Sequence, residues 1–220
     1  MLLVCFATPA EGDRLVGGLG GGRGRVAGRE VALLRTGIGP VNAAHAVTNF
    51  LARERVEAVI SCGIGGAYPG ALDLLDVACA ETETYADLGA DSPDGFLDME
   101  RLGFAVIERE PPLFNRLPLG VFPIPRKLGF ATRTTCTGTD AAAREVAART
   151  GAAVESMEGA AVVHVCLRMN VPVGEVRAVS NMVGNRDRGA WRVREAAAKA
   201  QGALLAWIEA SPSPGPLPIP

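Results

Sequence analysis

Short apolar runs alternate along the chain with stretches whose apolar residues recur at helical spacing. Met1 to Ala7 is a continuous apolar run and predicts a first buried strand, followed by a Pro-containing turn, Thr8 to Asp13, that can open a short helix. Arg29 to Thr36 predicts a second strand, and Gly37-Ile38-Gly39-Pro40 turns into a helix over about Val41 to Arg53, with Asn42 as its cap. Val56 to Ser61 predicts another buried strand that ends in the glycine cluster Gly63-Ile64-Gly65-Gly66. Asp76 to Thr84 and Leu128 to Cys136 are further strands, and Ala141 to Arg149 is a helix. A short strand around Val154 leads into a helix from Met157 to Arg168, Val173 to Val183 is the last strand, and Arg186 to Ala210 is a long closing helix. This alternation predicts an α/β protein, three layers deep, with a mixed and mostly parallel central sheet. One domain over 1–210 accounts for it, and the five prolines between 211 and 220 predict a disordered tail.

Two stretches resist the pattern. Gly17 to Gly24 is rich in glycine but lacks the GK[ST] ending of a phosphate loop, so a flexible hairpin connection is expected. From Tyr85 to about Lys127 no period holds, and a segment this long is usually functional or covers a site.

Composition narrows the function classes. The 220 residues are 48% hydrophobic and 21% charged with a formal net charge of −2, and no basic cluster suits a phosphate backbone, so nucleic acid is not an expected partner. No apolar run reaches about 18 residues, so no membrane span is expected. The apolar start is too short for a signal peptide. Five cysteines without a CxxC pair predict reduced, buried thiols in a cytoplasmic protein with no metal and no cofactor. His45 and His164 fall in Ala/Val-rich helical runs and read as core histidines.

Ligands of such sheets bind outside the carboxyl ends of the strands. Glu11, Gly63 to Gly66, Thr137 to Asp140, Met157 with Glu158, and Ser180 with Asn181 all fall at predicted strand ends. Glu158, at a helix start, is either a partner of the helix dipole or a ligand holder, and this shared location favours the second.

Ala7-Thr8-Pro9-Ala10-Glu11, Gly37-Ile38-Gly39-Pro40, Gly63-Ile64-Gly65-Gly66, Ser156-Met157-Glu158-Gly159-Ala160 and Arg177-Ala178-Val179-Ser180-Asn181 together resemble the purine nucleoside phosphorylase/nucleosidase superfamily. Within it the chain looks most like the futalosine hydrolases, relatives of the methylthioadenosine/S-adenosylhomocysteine nucleosidases. The resemblance implies hydrolysis of an N-glycosidic bond to a purine, with Glu11 as the base that activates water and Asn181 reading and stabilising the leaving base. It implies Glu158 as acceptor of the ribose hydroxyls and Met157 against the sugar, with Ile64, Gly65, Gly66, Thr137, Gly138, Ser180 and Arg177 also binding substrate. Methylthioadenosine nucleosidases carry an aspartate where this chain has Asn181; an amide offers a donor and an acceptor together, which suits a 6-oxopurine such as hypoxanthine. Bacterial phosphorylases of the superfamily place Arg and Ser where this chain has Ser61 and Ile64, and an apolar Ile64 cannot hold phosphate, so water is the expected nucleophile. Futalosine carries a benzoate on its 5′ extension, for which Arg116, Arg126, Lys127, Arg133 and Arg186 are candidate partners. The resemblance also implies a homo-oligomer and a place in an alternative menaquinone route. The competing expectations are methylthioadenosine cleavage, phosphorolysis of inosine, and a non-catalytic nucleoside-binding protein.

Overall fold

A computed structural model of the chain describes residues 1–211. The tail expected over 211–220 therefore lies, Ser211 apart, outside the described residues. The strands are β1 (Leu2–Phe6), β2 (Arg23–Val26), β3 (Arg29–Arg35), β4 (Ala58–Ala67), β5 (Val77–Tyr85), β6 (Gly89–Ser92), β7 (Gly95–Asp98), β8 (Arg116–Pro118), β9 (Lys127–Thr132), β10 (Val154–Ser156) and β11 (Val173–Met182). The α-helices are α1 (Asp13–Leu19), α2 (Pro40–Leu51), α3 (Met99–Leu102), α4 (Asp140–Thr150), α5 (Gly159–Arg168) and α6 (Val193–Ala210).

The main sheet runs in the order β10-β9-β5-β11-β4-β1-β3-β2, with β8 against β5 and β6 with β7 as a separate hairpin. β1 is parallel to β3 and β4, β11 to β4, and β5 and β10 to β9, whereas β11–β5 and β2–β3 are antiparallel, so the sheet is mixed. Strand apolar runs are continuous because both faces are covered. Leu3 and Cys5 of β1 pack toward Ala43 and Val47 of α2 and Val162, Val163 and Cys166 of α5. Leu2 and Val4, pointing the other way by strand alternation, pack toward Ala196, Ala200, Leu204 and Ile208 of α6. Each such buried Val, Leu or Ile side chain contributes about 1.5–3 kcal/mol. The result is helices on both faces of one sheet, as the alternation of elements predicts.

One irregularity of the sheet makes room for a site. β4 pairs with β1 only over Ala58 to Ser61, because β1 ends at Phe6; farther on, the same edge is taken antiparallel by β10, at Gly66 and Ala67. Between the two partners the edge is free of a strand. Opposite it, β11 slips register between Val179 and Asn181, a bulge at Ser180 that redirects the strand's last side chains.

Several expected boundaries move, each for a tertiary reason. Gly17 and Gly18 lie in α1 rather than in a flexible connection, because buried Gln201 of α6 accepts the N–H groups of Arg14 (2.9 Å) and Leu15 (3.2 Å) and so caps the helix that glycine would weaken. The hairpin itself turns later, at Ala27 and Gly28, which hold φ of 48° and 83° between β2 and β3. Asn42 is not the cap of α2, whose cap position is Gly39; its side-chain amide donates instead to Ile38 O at 2.7 Å. β9 stops at Thr132 rather than Cys136, and α6 begins at Val193 rather than Arg186, after a 3-10 turn over Arg188–Ala190 capped by Asp187. The 85–127 segment carries β6, β7, α3 and β8, tied together by Asn115, which donates to Tyr85 O and Leu88 O and accepts from Met99 N.

Candidate active site

Glu11 closes the 3-10 turn Pro9–Glu11 that follows β1, and its carboxylate fills the strand-free part of the β4 edge. Oε1 accepts the N–H of Ile64 at 3.0 Å, the group a missing strand leaves without a partner, while Oε2 accepts Thr8 N at 3.0 Å and Thr8 Oγ1 at 2.7 Å. The carboxylate is buried and held on both oxygens.

Glu158 sits at the cap of α5, where the helix dipole favours negative charge. Its Oε1 accepts Gly39 N at 2.9 Å across the sheet ends, which joins the Gly37 to Pro40 turn to the Met157-Glu158 stretch. Burial pushes its carboxyl above the usual glutamate value of 4.5, opposed by Arg177 and by the Gly39 N–H, and assisted by Glu11 and Glu175. Arg177 of β11 lies between the two glutamates, with Nη1 3.9 Å from Glu11 and 3.8 Å from Glu158. Its Nε donates to Glu175 at 2.6 Å, Nη1 to Ile64 O and Nη2 to Ser61 Oγ, each at 3.2 Å. Burial works against its charge, but Glu175, Glu158 and Glu11 outweigh it and raise its pKa.

A cavity of about 380 Å³ opens beside these groups. Its lining includes Glu11, Ile64, Gly65, Gly66, Thr137 and Met157, and also Glu158, Ser180 and Asn181, so nine of the residues singled out in the sequence meet at one place. Two do not line it. Arg177 stands behind the carboxylates, and Gly138 is exposed beyond Thr137, near Arg186. Ser180 Oγ lies 2.7 Å from Asn181 Oδ1, and Asn181 Nδ2 donates to Met182 O at 3.1 Å. Ser180 Oγ also donates to Gly65 O at 3.2 Å.

The glycines of β4 make way for the protein's own groups. A Cβ at Gly63 would overlap Glu11 Oε1 and lie 2.6 Å from Arg177 Nη1, and one at Gly65 would overlap Val154 and stand 2.9 Å from Glu155 O. The cluster expected to end a strand is thus its continuation, kept free of side chains so that β10 and Glu11 can close on it.

Sequence reasoning missed Glu155. It lines the cavity from β10, opposite Gly66, and is held by Thr137 N at 2.9 Å, by Tyr68 OH at 2.7 Å and by Thr137 Oγ1. Its neighbours in β10 are Val154 and Ser156, and no local sequence signal marks it, since its partners come from Tyr68 and Thr137. Of the five candidate cations, Arg186 lines the cavity, its guanidinium 5.2 Å from the Trp191 ring centroid, and Trp191 lines it too. Arg133 is engaged with Thr137 Oγ1 at 2.7 Å, Arg126 with Asp76, and Lys127 lies 4.0 Å from the Phe122 ring centroid. Four cysteines are buried, and Cys136, half-buried in the cavity wall, places Sγ 3.4 Å from Met157 Sδ. Among the described residues no helix is long and apolar enough to cross a membrane.

Residues 22–210 match the phosphorylase superfamily. The chain is 40% identical over 171 residues to a futalosine hydrolase of Thermus thermophilus, covering 74% of each chain. It is 38% identical over 219 residues to a futalosine hydrolase of Acidothermus cellulolyticus, covering 93% of this chain and 88% of that one. In fold it superposes on a 5′-methylthioadenosine/S-adenosylhomocysteine nucleosidase from Neisseria meningitidis with a TM-score of 0.81 at 19% identity, over 95% of this chain and 98% of the other. The chain therefore belongs to the phosphorylase superfamily and, within it, to the futalosine hydrolase family.

Proposed function

We propose that this protein hydrolyses the N-glycosidic bond of futalosine, releasing hypoxanthine and dehypoxanthine futalosine in an alternative route to menaquinone. The observation that carries the reading is the convergence of Glu11, Glu158, Asn181 and Glu155 on one cavity. Departure of the base leaves a sugar with oxocarbenium character, so groups that gain interaction as positive charge develops lower the barrier. Glu158 accepts the ribose hydroxyls and sets its charge near the developing cation. Glu11, fixed by Ile64 N–H and Thr8, takes the proton of the attacking water, a contribution of about 10² to 10⁴ in rate. Met157 packs on the sugar. Asn181 presents its amide to N7 and O6 of the base, and the acceptor-only carboxylate of Glu155 faces the N1–H that a 6-oxopurine has and adenine lacks. Arg186 with Trp191 receives the carboxylate of the 5′ extension. Ser61, already engaged by Arg177, and apolar Ile64 give phosphate no foothold. Residues 1–210 act as one domain, in the cytoplasm and as a homo-oligomer, and exposed Ile38 and Met182 in the cavity wall suit cover by a second copy.

The experiment is futalosine cleavage in phosphate-free buffer made with ¹⁸O-labelled water. Release of hypoxanthine with the label in the sugar product is expected. A strict requirement for phosphate would overturn hydrolysis.

A further inference from the structure

Beneath the site lie two glutamates that the proposed chemistry does not use. Glu83 of β5 and Glu175 of β11, on neighbouring strands, have no solvent exposure. Glu83 Oε2 accepts Thr132 Oγ1 at 3.0 Å, and Thr132 Oγ1 in turn accepts the N–H of Ala160 at 2.8 Å. Glu175 Oε1 accepts Arg177 Nε at 2.6 Å. The other oxygen of each, Glu83 Oε1 and Glu175 Oε2, has no hydrogen-bond partner among the described residues. Those two oxygens converge. A Cβ at Gly159, the first residue of α5, would overlap both of them, so only glycine lets the helix start directly above the pair.

Two ionised carboxylates cannot meet at such a point without water or cations. The groups around the pair are Tyr85 on β5, His164 and Glu158 on α5 and at its cap, Thr132 on β9, Arg177 on β11, and on β4 the thiol of Cys62, which burial keeps neutral. Tyr85 OH and His164 Nδ1 lie 3.3 Å apart, and burial favours the neutral form of both. Arg177 is thus the cation at hand, and it already faces Glu11 and Glu158. Burial, and after it the charge of Glu175, holds the Glu83 carboxyl well above the usual value of 4.5.

We propose that Glu83 is a neutral acid in the folded protein, donating its proton from Oε1 to Oε2 of an ionised Glu175. The pair thereby holds Arg177 between Glu11 and Glu158. One shared proton satisfies both orphaned oxygens and leaves Glu175 a single negative charge for Arg177, at the favourable end of the α5 dipole. Glu83 and Glu175 are positioning residues, acting on the reaction through Arg177. This second half rests on the proposed function; the first half does not.

Thermal unfolding of the wild type and Glu83→Gln, without substrate, from about pH 5 to about pH 8, reads the first half. An acid with a raised folded pKa contributes stability that is complete below its unfolded value, near 4.5, and is lost as pH rises toward the folded value. The substituted amide keeps a donor and carries no such loss, so the variant's Tm should rise relative to the wild type as pH increases. A difference that is flat or falls with pH overturns the neutral acid. If the variant does not fold, infrared spectra of the wild type at about pH 7 decide: a protonated-carboxyl C=O band from a buried acid is expected, and its absence overturns the proposal. For the second half, Glu175→Gln both frees Arg177 from its place between Glu11 and Glu158 and withdraws a charge that raises Glu158, so the acid limb of kcat/KM should move to lower pH and kcat at its plateau should fall; an unmoved limb, or a moved limb with an unchanged plateau kcat, overturns the positioning role. Failure of the wild type to cleave futalosine at all would remove the proposed function and leave the unfolding result standing.

Discussion

At the scale of single residues, the cavity is lined by three buried carboxylates, two of them beside the Arg177 guanidinium, differentiated by what each oxygen accepts. Glu11 is tied to Ile64 N–H and Thr8, Glu158 to Gly39 N–H, and Glu155 to Thr137 and Tyr68. Asn181 is where the reading of the base can be tested. Asn181→Asp replaces a donor-and-acceptor amide by an acceptor, so one contact to the protonated N7 and 6-oxo edge is mismatched. Selectivity for futalosine over an adenine nucleoside should fall by about 1–3 kcal/mol, measured as the ratio of the two kcat/KM values. An unchanged ratio would remove Asn181 from base recognition. Glu11, Glu158 and Asn181 were legible in the sequence because each stands at the end of an apolar run, where α/β proteins place ligands. Glu155, Glu83 and Glu175 were not. The partners of Glu155 lie 18 and 87 positions away and Glu83 and Glu175 meet across strands, and nothing in a single sequence pairs them.

At the scale of elements, the decisive feature is the free stretch of the β4 edge between β1 and β10. It exists because β1 stops at Phe6 while β4 runs on to Ala67. Glycine at position 63 is what lets Glu11 and Arg177 approach that edge. Gly63→Ala should therefore push both side chains away and lower kcat about 10²-fold, since displacements near 1 Å cost that much in a positioned site, with the variant still folding cooperatively in a thermal melt. Near-wild-type kcat would show that Glu11 need not sit where the edge holds it. The apolar strands β1 and β3 and the helices α2, α4 and α5 were legible from their periods, to within a few residues. The extension of β4 was hidden, because a glycine cluster reads locally as a turn while its cause is the close approach of β10 and Glu11. Helix α1 was hidden for the converse reason: its glycines disfavour a helix, and the Gln201 amide that caps it comes from the far end of the chain.

At the scale of the whole molecule, a mixed sheet covered by α2 and α5 on one face and α6 on the other brings five separate strand ends to one cavity. The fold class was readable from the alternation of elements alone. A mixed, mostly parallel sheet was expected as well; which strands are reversed, β5 against β11 and β10 against β4, was not readable, because strand direction depends on connections through the irregular 85–127 segment. The fold is shared with methylthioadenosine nucleosidases, so it does not by itself choose a substrate; under the proposed function that choice falls to Asn181, Glu155 and Arg186 in the cavity wall. The most direct measurement is chromatographic identification of the purine released when the purified protein is given futalosine and methylthioadenosine in parallel. Hypoxanthine from futalosine, with kcat/KM far above that for any adenine release, is the expected result. Adenine released from methylthioadenosine with a comparable or greater kcat/KM would contradict it.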